Sequence, residues 1–200
     1  MYAIVESGNI TQTFNNPRKL VINNIRYSTK IYSLWSVDEK KAIGLYEVEY
    51  DNTNKKDEDW YINTNQTLTY DSSADKVTAS YGTATAKAIA DRNGTDDDCV
   101  ELDPVVVIKG LKTIKKEMIN DQCEGILRPS DWRVIKAKET GGTMNSGWKT
   151  WRASVRAKCN SMQTQIDNAS DVDALASLFT YTEQEDGSFT RPLGEFPVKE

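Results

Sequence analysis

Apolar and polar positions alternate along the first part of the chain and recur at helical spacing along the last part. Tyr2-Ala3-Ile4-Val5-Glu6 reads as a strand. Ser7-Gly8-Asn9 supplies a turn, and Ile10-Thr11-Gln12-Thr13-Phe14 pairs back as a hairpin. Leu20-Val21-Ile22 and Ile25-Arg26-Tyr27 flank Asn23-Asn24, a second hairpin signature. Ser36 and Glu39 have capping-box spacing and Gly44 suits a C-terminal cap, which predicts two helical turns over 37–43. Strands are then expected at Leu45 to Tyr50, around Trp60-Tyr61-Ile62, at Gln66 to Tyr70 and at Lys76 to Tyr81, with a polar loop over 51–59.

The alternation stops after Tyr81. Gly82 to Ala90 is rich in alanine and threonine and reads as a frayed helix, and 91–103 carries a dense acidic run closed by Pro104. Val107, Leu111, Ile114 and Met118 recur at helical spacing over 105–127, and Arg128-Pro129 breaks the helix. Ser130 is a candidate N-cap for a short helix with Trp132 and Ile135 on one side, ended by Gly141-Gly142. Trp148, Trp151, Val155, Cys159, Met162 and Ile166 follow at intervals of 3, 4, 4, 3 and 4. At about 100° per residue they fall in an arc roughly 80° wide, an amphipathic helix of about five turns. Ser170-Asp171-Val172-Asp173 caps a last helix bearing Leu175, Leu178 and Phe179. Beyond Thr180 the glycines and prolines predict an extended tail. The expected fold is α+β. A small N-terminal antiparallel β domain with one short helix spans 1–81, and an acidic linker spans 82–104. A C-terminal helical hairpin or bundle spans 105–179, and an extended tail spans 180–200.

Composition narrows the chemistry. The formal charge of −5 speaks against nucleic acid as the main partner, because phosphate binding needs a basic field. The chain has no histidine, so His-based nucleophilic triads and the commonest nitrogen ligand for zinc are both ruled out. Its three cysteines, Cys99, Cys123 and Cys159, have no metal-site spacing and read as free thiols of a reducing cytoplasm. The opening residues lack the basic and apolar regions of a signal peptide, and no run reaches membrane-spanning length, so no membrane partner is expected. No cofactor loop of Walker or dinucleotide spacing occurs.

Three groups of residues merit a functional reading beside the plain one. Glu47, Glu49, Asp57, Glu58 and Asp59 lie near aromatic residues, as the carboxylate pair of a glycan hydrolase does, but solvation of a loop and two strand faces explains them more simply. Asp96-Asp97-Asp98 with Glu101 and Asp103 lacks the glycine and terminal glutamate of a calcium loop and reads as a solvated acidic linker. Lys149, Arg152, Arg156 and Lys158 lie away from the centre of the long helix's apolar stripe and suit an acidic partner strip or a nucleic acid, but a solvated helix face or pairing with the acidic linker explains them more simply. Tryptophan and arginine anchor interfaces, and a helical domain this small cannot easily hide Trp132, Trp148, Trp151 and Phe179 together. Trp132, Trp148, Trp151, Arg152 and Arg156 are therefore the candidate partner-binding residues.

Two stretches resemble the tail-fibre assembly proteins of tailed bacteriophages. Ile126-Leu127-Arg128-Pro129-Ser130-Asp131-Trp132 leads through a polar segment with Glu139 and Gly141 to Trp148-Lys149-Thr150-Trp151-Arg152 and Arg156. This is similar to the family's C-terminal module, in which a leucine, a short gap and Ser/Thr-Asp-Trp precede a helix with an aromatic-Arg-x-x-x-Arg pattern. Tryptophan stands here where tyrosine is commoner. Met1 to Gly8, Leu34-Trp35-Ser36 and Ile43 to Val48 resemble the β module of the same proteins. The resemblance touches roughly half of the chain. It implies a non-enzymatic role in the host cytoplasm, helping fibre chains to trimerise. The partner would be a fibre or baseplate protein, with a homo-oligomer matching tail symmetry as a further possibility. The alternatives are a permanent tail, baseplate or fibre component of the virion and, further off, a cell-surface glycan hydrolase.

Overall fold

A computed structural model describes residues 1–95, 100, 101, 103 and 105–199. The Asp96-Asp97-Asp98 run and Cys99 lie outside the described residues, so the calcium-loop and linker readings of that run have no structural counterpart here. The chain forms two compact units, Met1–Thr85 and Ala86–Glu200.

The first unit contains β1 (Tyr2–Glu6), β2 (Asn9–Phe14), β3 (Leu20–Ile22), β4 (Ile25–Tyr27), α1 (Ile31–Leu34), α2 (Val37–Ala42), β5 (Leu45–Asp51), β6 (Tyr61–Ile62), β7 (Gln66–Asp71) and β8 (Lys76–Tyr81). A further short strand, β9 (Thr85–Ala86), stands at the junction of the units. Both predicted hairpins form. Ser7 and Gly8 have φ of 50° and 79°, and Asn23 and Asn24 have φ of 50° and 62°, the left-handed pairs that tight two-residue hairpins require. The Ser36–Glu39 capping box is present at α2, and Gly44 turns the chain into β5 with φ of 80°.

The main sheet runs β2-β1-β5-β8-β7. Residues 3 and 4, and 45 and 46, point to opposite faces, so two small cores form. Ala3, Tyr46, Val48, Val77 and Ala79 fill one, and Ile4, Leu20, Ile22, Ile31 and Leu45 fill the other. Two details differ from expectation. Two short helices, α1 and α2, stand where one was expected. The sheet is mixed rather than antiparallel, because β5 and β8 pair in parallel, Val48 opposite Val77. The 52–65 segment carries the chain past the neighbour position to the outer edge, and the turn after Asp71 brings it back beside β5 in the same direction. Alternation specifies faces but not which strand lies alongside which. The sheet also curls until its edge strands β2 and β7 come within 8 Å of each other.

The second unit contains β10 (Arg92–Asn93), β11 (Val107–Ile108), α3 (Leu111–Leu127), a 3₁₀ turn (Arg128–Ser130), α4 (Asp131–Glu139), α5 (Ser146–Asn168), α6 (Val172–Phe179), β12 (Thr182–Glu183) and β13 (Phe189–Thr190). The α5 stripe falls where predicted, with Val155, Cys159, Met162 and Ile166 buried. The start of α3 does not. Val107 lies in β11, paired with Asn93, and the helix begins at Leu111. Its buried seam is Leu111, Ile119 and Cys123, while Ile114 is exposed, because the ridge at four-residue spacing faces α5.

Gly82 to Ala90 is not helical. Residues 88–91 instead satisfy the first amides of α3. The Leu111 and Lys112 N–H groups donate to the Ala88 and Ile89 carbonyls, and the Gly110 N–H donates to the Asp91 carboxylate. The Gly110 amide, then the Thr113 hydroxyl, hold the Asp91 carboxyl below its usual range. The tail is also tied down. β12 and β13 form a hairpin, Leu193 is fully buried, and Lys158 Nζ and Trp151 Nε1 donate to the carbonyls of Leu193 and Pro197. Among the described residues no helix is long and apolar enough to cross a membrane.

Candidate functional site

The sequence brings Ser130-Asp131-Trp132 and Trp148–Arg156 together by way of one buried cation. Pro129 lies in the 3₁₀ turn that separates α3 from α4, and the Leu127 carbonyl stands at the start of that turn. The Ser130 hydroxyl donates to that carbonyl at 2.7 Å rather than capping α4. Arg152 reaches the same place from α5. Its Nη1 donates to the Leu127 carbonyl at 2.8 Å and to Ser130 Oγ, and its Nη2 donates to Asp131 Oδ1 at 2.6 Å. Arg152 is 8% exposed. The expectation that it belongs to a solvated helix face is thus overturned. A guanidinium on the flank of an apolar stripe is drawn inward when a neighbouring turn offers several acceptors in one plane.

This clamp sets α4 beside the start of α5 and leaves its large side chains outward. No residue of α4 is buried, and Trp132, Val134 and Ile135 are 52%, 44% and 56% exposed. Trp148, half-buried, meets Trp151 edge to face with centroids 5.5 Å apart. The Arg133 guanidinium lies between two indoles, 4.5 Å from the Trp132 ring and 4.4 Å from the Trp148 ring. Lys199 Nζ lies 5.6 Å from the Trp148 ring. Cations over indole faces fix both partners at small cost. A groove runs along this surface between the α4 face and the 140–145 loop.

The five residues singled out from sequence therefore have different surroundings. Trp132 and Trp148 share the outer surface, and Trp151 holds the tail through Pro197. Arg152 is the clamp, and Arg156 is exposed beside the Cys123–Cys159 groove. Arg133 and Lys136 were missed. Their signal was present as cations one and four positions from Trp132, the second on the same helix face.

Cys123 and Cys159 are buried and free. Burial, and next the neighbouring Cys159 thiol, push the Cys123 thiol up to about 11. The carboxylates considered for glycan hydrolysis are dispersed. Glu47 pairs with Lys40, Glu49 with Lys76 at 3.3 Å and Glu58 with Lys55 at 3.8 Å, while Asp57 Oδ1 accepts from the Asp59 amide in a turn.

No protein-family model, curated protein or solved structure matches the chain.

Proposed function

We propose that this protein acts by protein–protein binding in the assembly or attachment of bacteriophage tail fibres, in the host cytoplasm, with a fibre or baseplate chain as partner. The observation that carries the reading is α4, a helix that buries none of its residues and presents Trp132, Val134 and Ile135 to solvent. Several large apolar side chains left exposed on one helix point to an interaction site, and tryptophan and arginine are enriched among the anchors of such sites. Trp132 on this surface, and Ser130, Asp131 and Arg152 of the clamp beneath it, lie in the stretches that resemble the tail-fibre assembly family.

Long β-rich fibre chains expose strand edges while they assemble, and such edges aggregate unless covered. Covering one by strand addition to the β unit would require β2 and β7, which approach each other, to part. The helical unit therefore carries the contact in this reading.

Quantitative mass spectrometry of purified phage particles against the infected-cell lysate tests it. Abundance in lysate fibre complexes with absence from particles is the expected result for a transient assembly factor. Presence in multiples of the tail symmetry assigns the second role, a built-in tail component. Association with neither fibres nor particles contradicts the proposal.

A further inference from the structure

The groove beside α4 has a charge at odds with the chain around it. The protein carries a formal charge of −5, yet the groove is lined by Arg133 and Lys136 with no carboxylate. Neither cation has a carboxylate within ion-pairing distance among the described residues. Arg133 is held by the two indoles instead, and Lys136 Nζ sits 6.0 Å from the Trp132 ring. The groove thus offers the Arg133 guanidinium, held over two indoles, and the exposed Lys136 ammonium, with Trp132, Trp148 and Met144 along its walls.

We infer that this groove binds an acidic peptide segment of a partner protein, carboxylates on Arg133 and Lys136 and aliphatic side chains on Trp132 and Trp148. Arginine gives a carboxylate paired, planar hydrogen bonds, and a guanidinium already stacked loses little freedom on binding. An acidic polysaccharide fits less well, because its hydroxyls need acceptors. Asn145 Oδ1, the groove's amide acceptor, is already occupied by the Gly147 and Trp148 amides. The inference rests on the tail-assembly reading only for the source of the segment.

The test is a tryptophan-fluorescence titration of the full chain with a short peptide alternating Glu and Leu. A Lys–Leu peptide and a polyuronate serve as comparisons. Saturable binding of the Glu–Leu peptide alone is expected. Arg133→Gln and Lys136→Glu should each weaken it at least about tenfold, with circular dichroism unchanged, while Lys19→Glu should leave it as it is. Equal binding of the two peptides, preference for the polyuronate, or wild-type affinity in both groove variants overturns the inference. Specific peptide binding by a protein that never associates with fibres or particles would instead leave the groove standing and remove the tail reading.

Discussion

Arg152 Nη2 donates to Asp131 Oδ1 at 2.6 Å, a contact that ties the two halves of the Ser-Asp-Trp … Trp-Arg pattern together. Arg152 is buried while Asp131 is half exposed, and the guanidinium also serves the Leu127 carbonyl and Ser130 Oγ. Removing it strands those acceptors. Arg152→Ala is expected to destabilise the second unit by about 2–3 kcal/mol in urea unfolding. Arg156→Ala, four residues on and exposed, should stay within about 0.5 kcal/mol of wild type. Equal effects for the two would remove the clamp from the account of the motif.

Gly110 makes a second sharp prediction. A Cβ there would lie 2.3 Å from the Ala90 carbonyl carbon and 2.4 Å from its oxygen, both backbone atoms. Gly110→Ala must displace the 88–91 segment from the start of α3. We expect a loss of about 2 kcal/mol or more, with faster hydrogen exchange at the Leu111 and Lys112 amides. Gly125, inside the same helix, has open space at its Cβ position. Gly125→Ala should stabilise by about 0.5–1 kcal/mol.

The α5 stripe was legible because every contact it needs repeats along one helix face. The α2 capping box was legible because its partners lie three residues apart. Arg152 was not legible as buried, since its acceptors are 25, 22 and 21 residues away in sequence. The start of α3 was misplaced because Val107 fits the helical period, and only pairing with Asn93 and capping by Asp91 fix the boundary. The parallel β5–β8 pairing is likewise a choice of neighbour, which alternation leaves open. At the candidate surface Trp132 was legible as an interface residue. Arg133 was legible only as a cation next to Trp132, because its position between two rings depends on the fold of α4 against α5.

Asp75 gives the pH dependence of the first unit. Its Oδ1 accepts from Tyr46 at 2.7 Å and Tyr70 at 2.9 Å, and Lys41 Nζ lies 3.4 Å from Oδ2. The Tyr46 hydroxyl, then Tyr70, hold the carboxyl below its usual range. A depressed carboxylate stabilises the fold above the unfolded value, about 3.9, and that contribution fades as pH falls through the folded value. Asp75→Asn keeps the left-handed backbone tolerable, since asparagine accepts the φ of 47° seen there. The variant should be less stable than wild type by a constant margin above about pH 5, and the margin should close in acid. Hydrogen exchange of the β5 amides across pH reads this out. A margin that survives unchanged in acid contradicts the assigned role of the carboxylate.

We propose that the exposed α4 surface binds a fibre chain as it assembles. Its most direct test is the yield of fibre trimer from cells that co-express the fibre with wild-type protein, with Trp132→Ala, or with neither. A tail-fibre role predicts a high yield with wild type and a low yield without the protein. Trp132→Ala should give a yield near the lower value, although a side chain 52% exposed costs the fold little when truncated. Equal trimer yield in all three would contradict the claim.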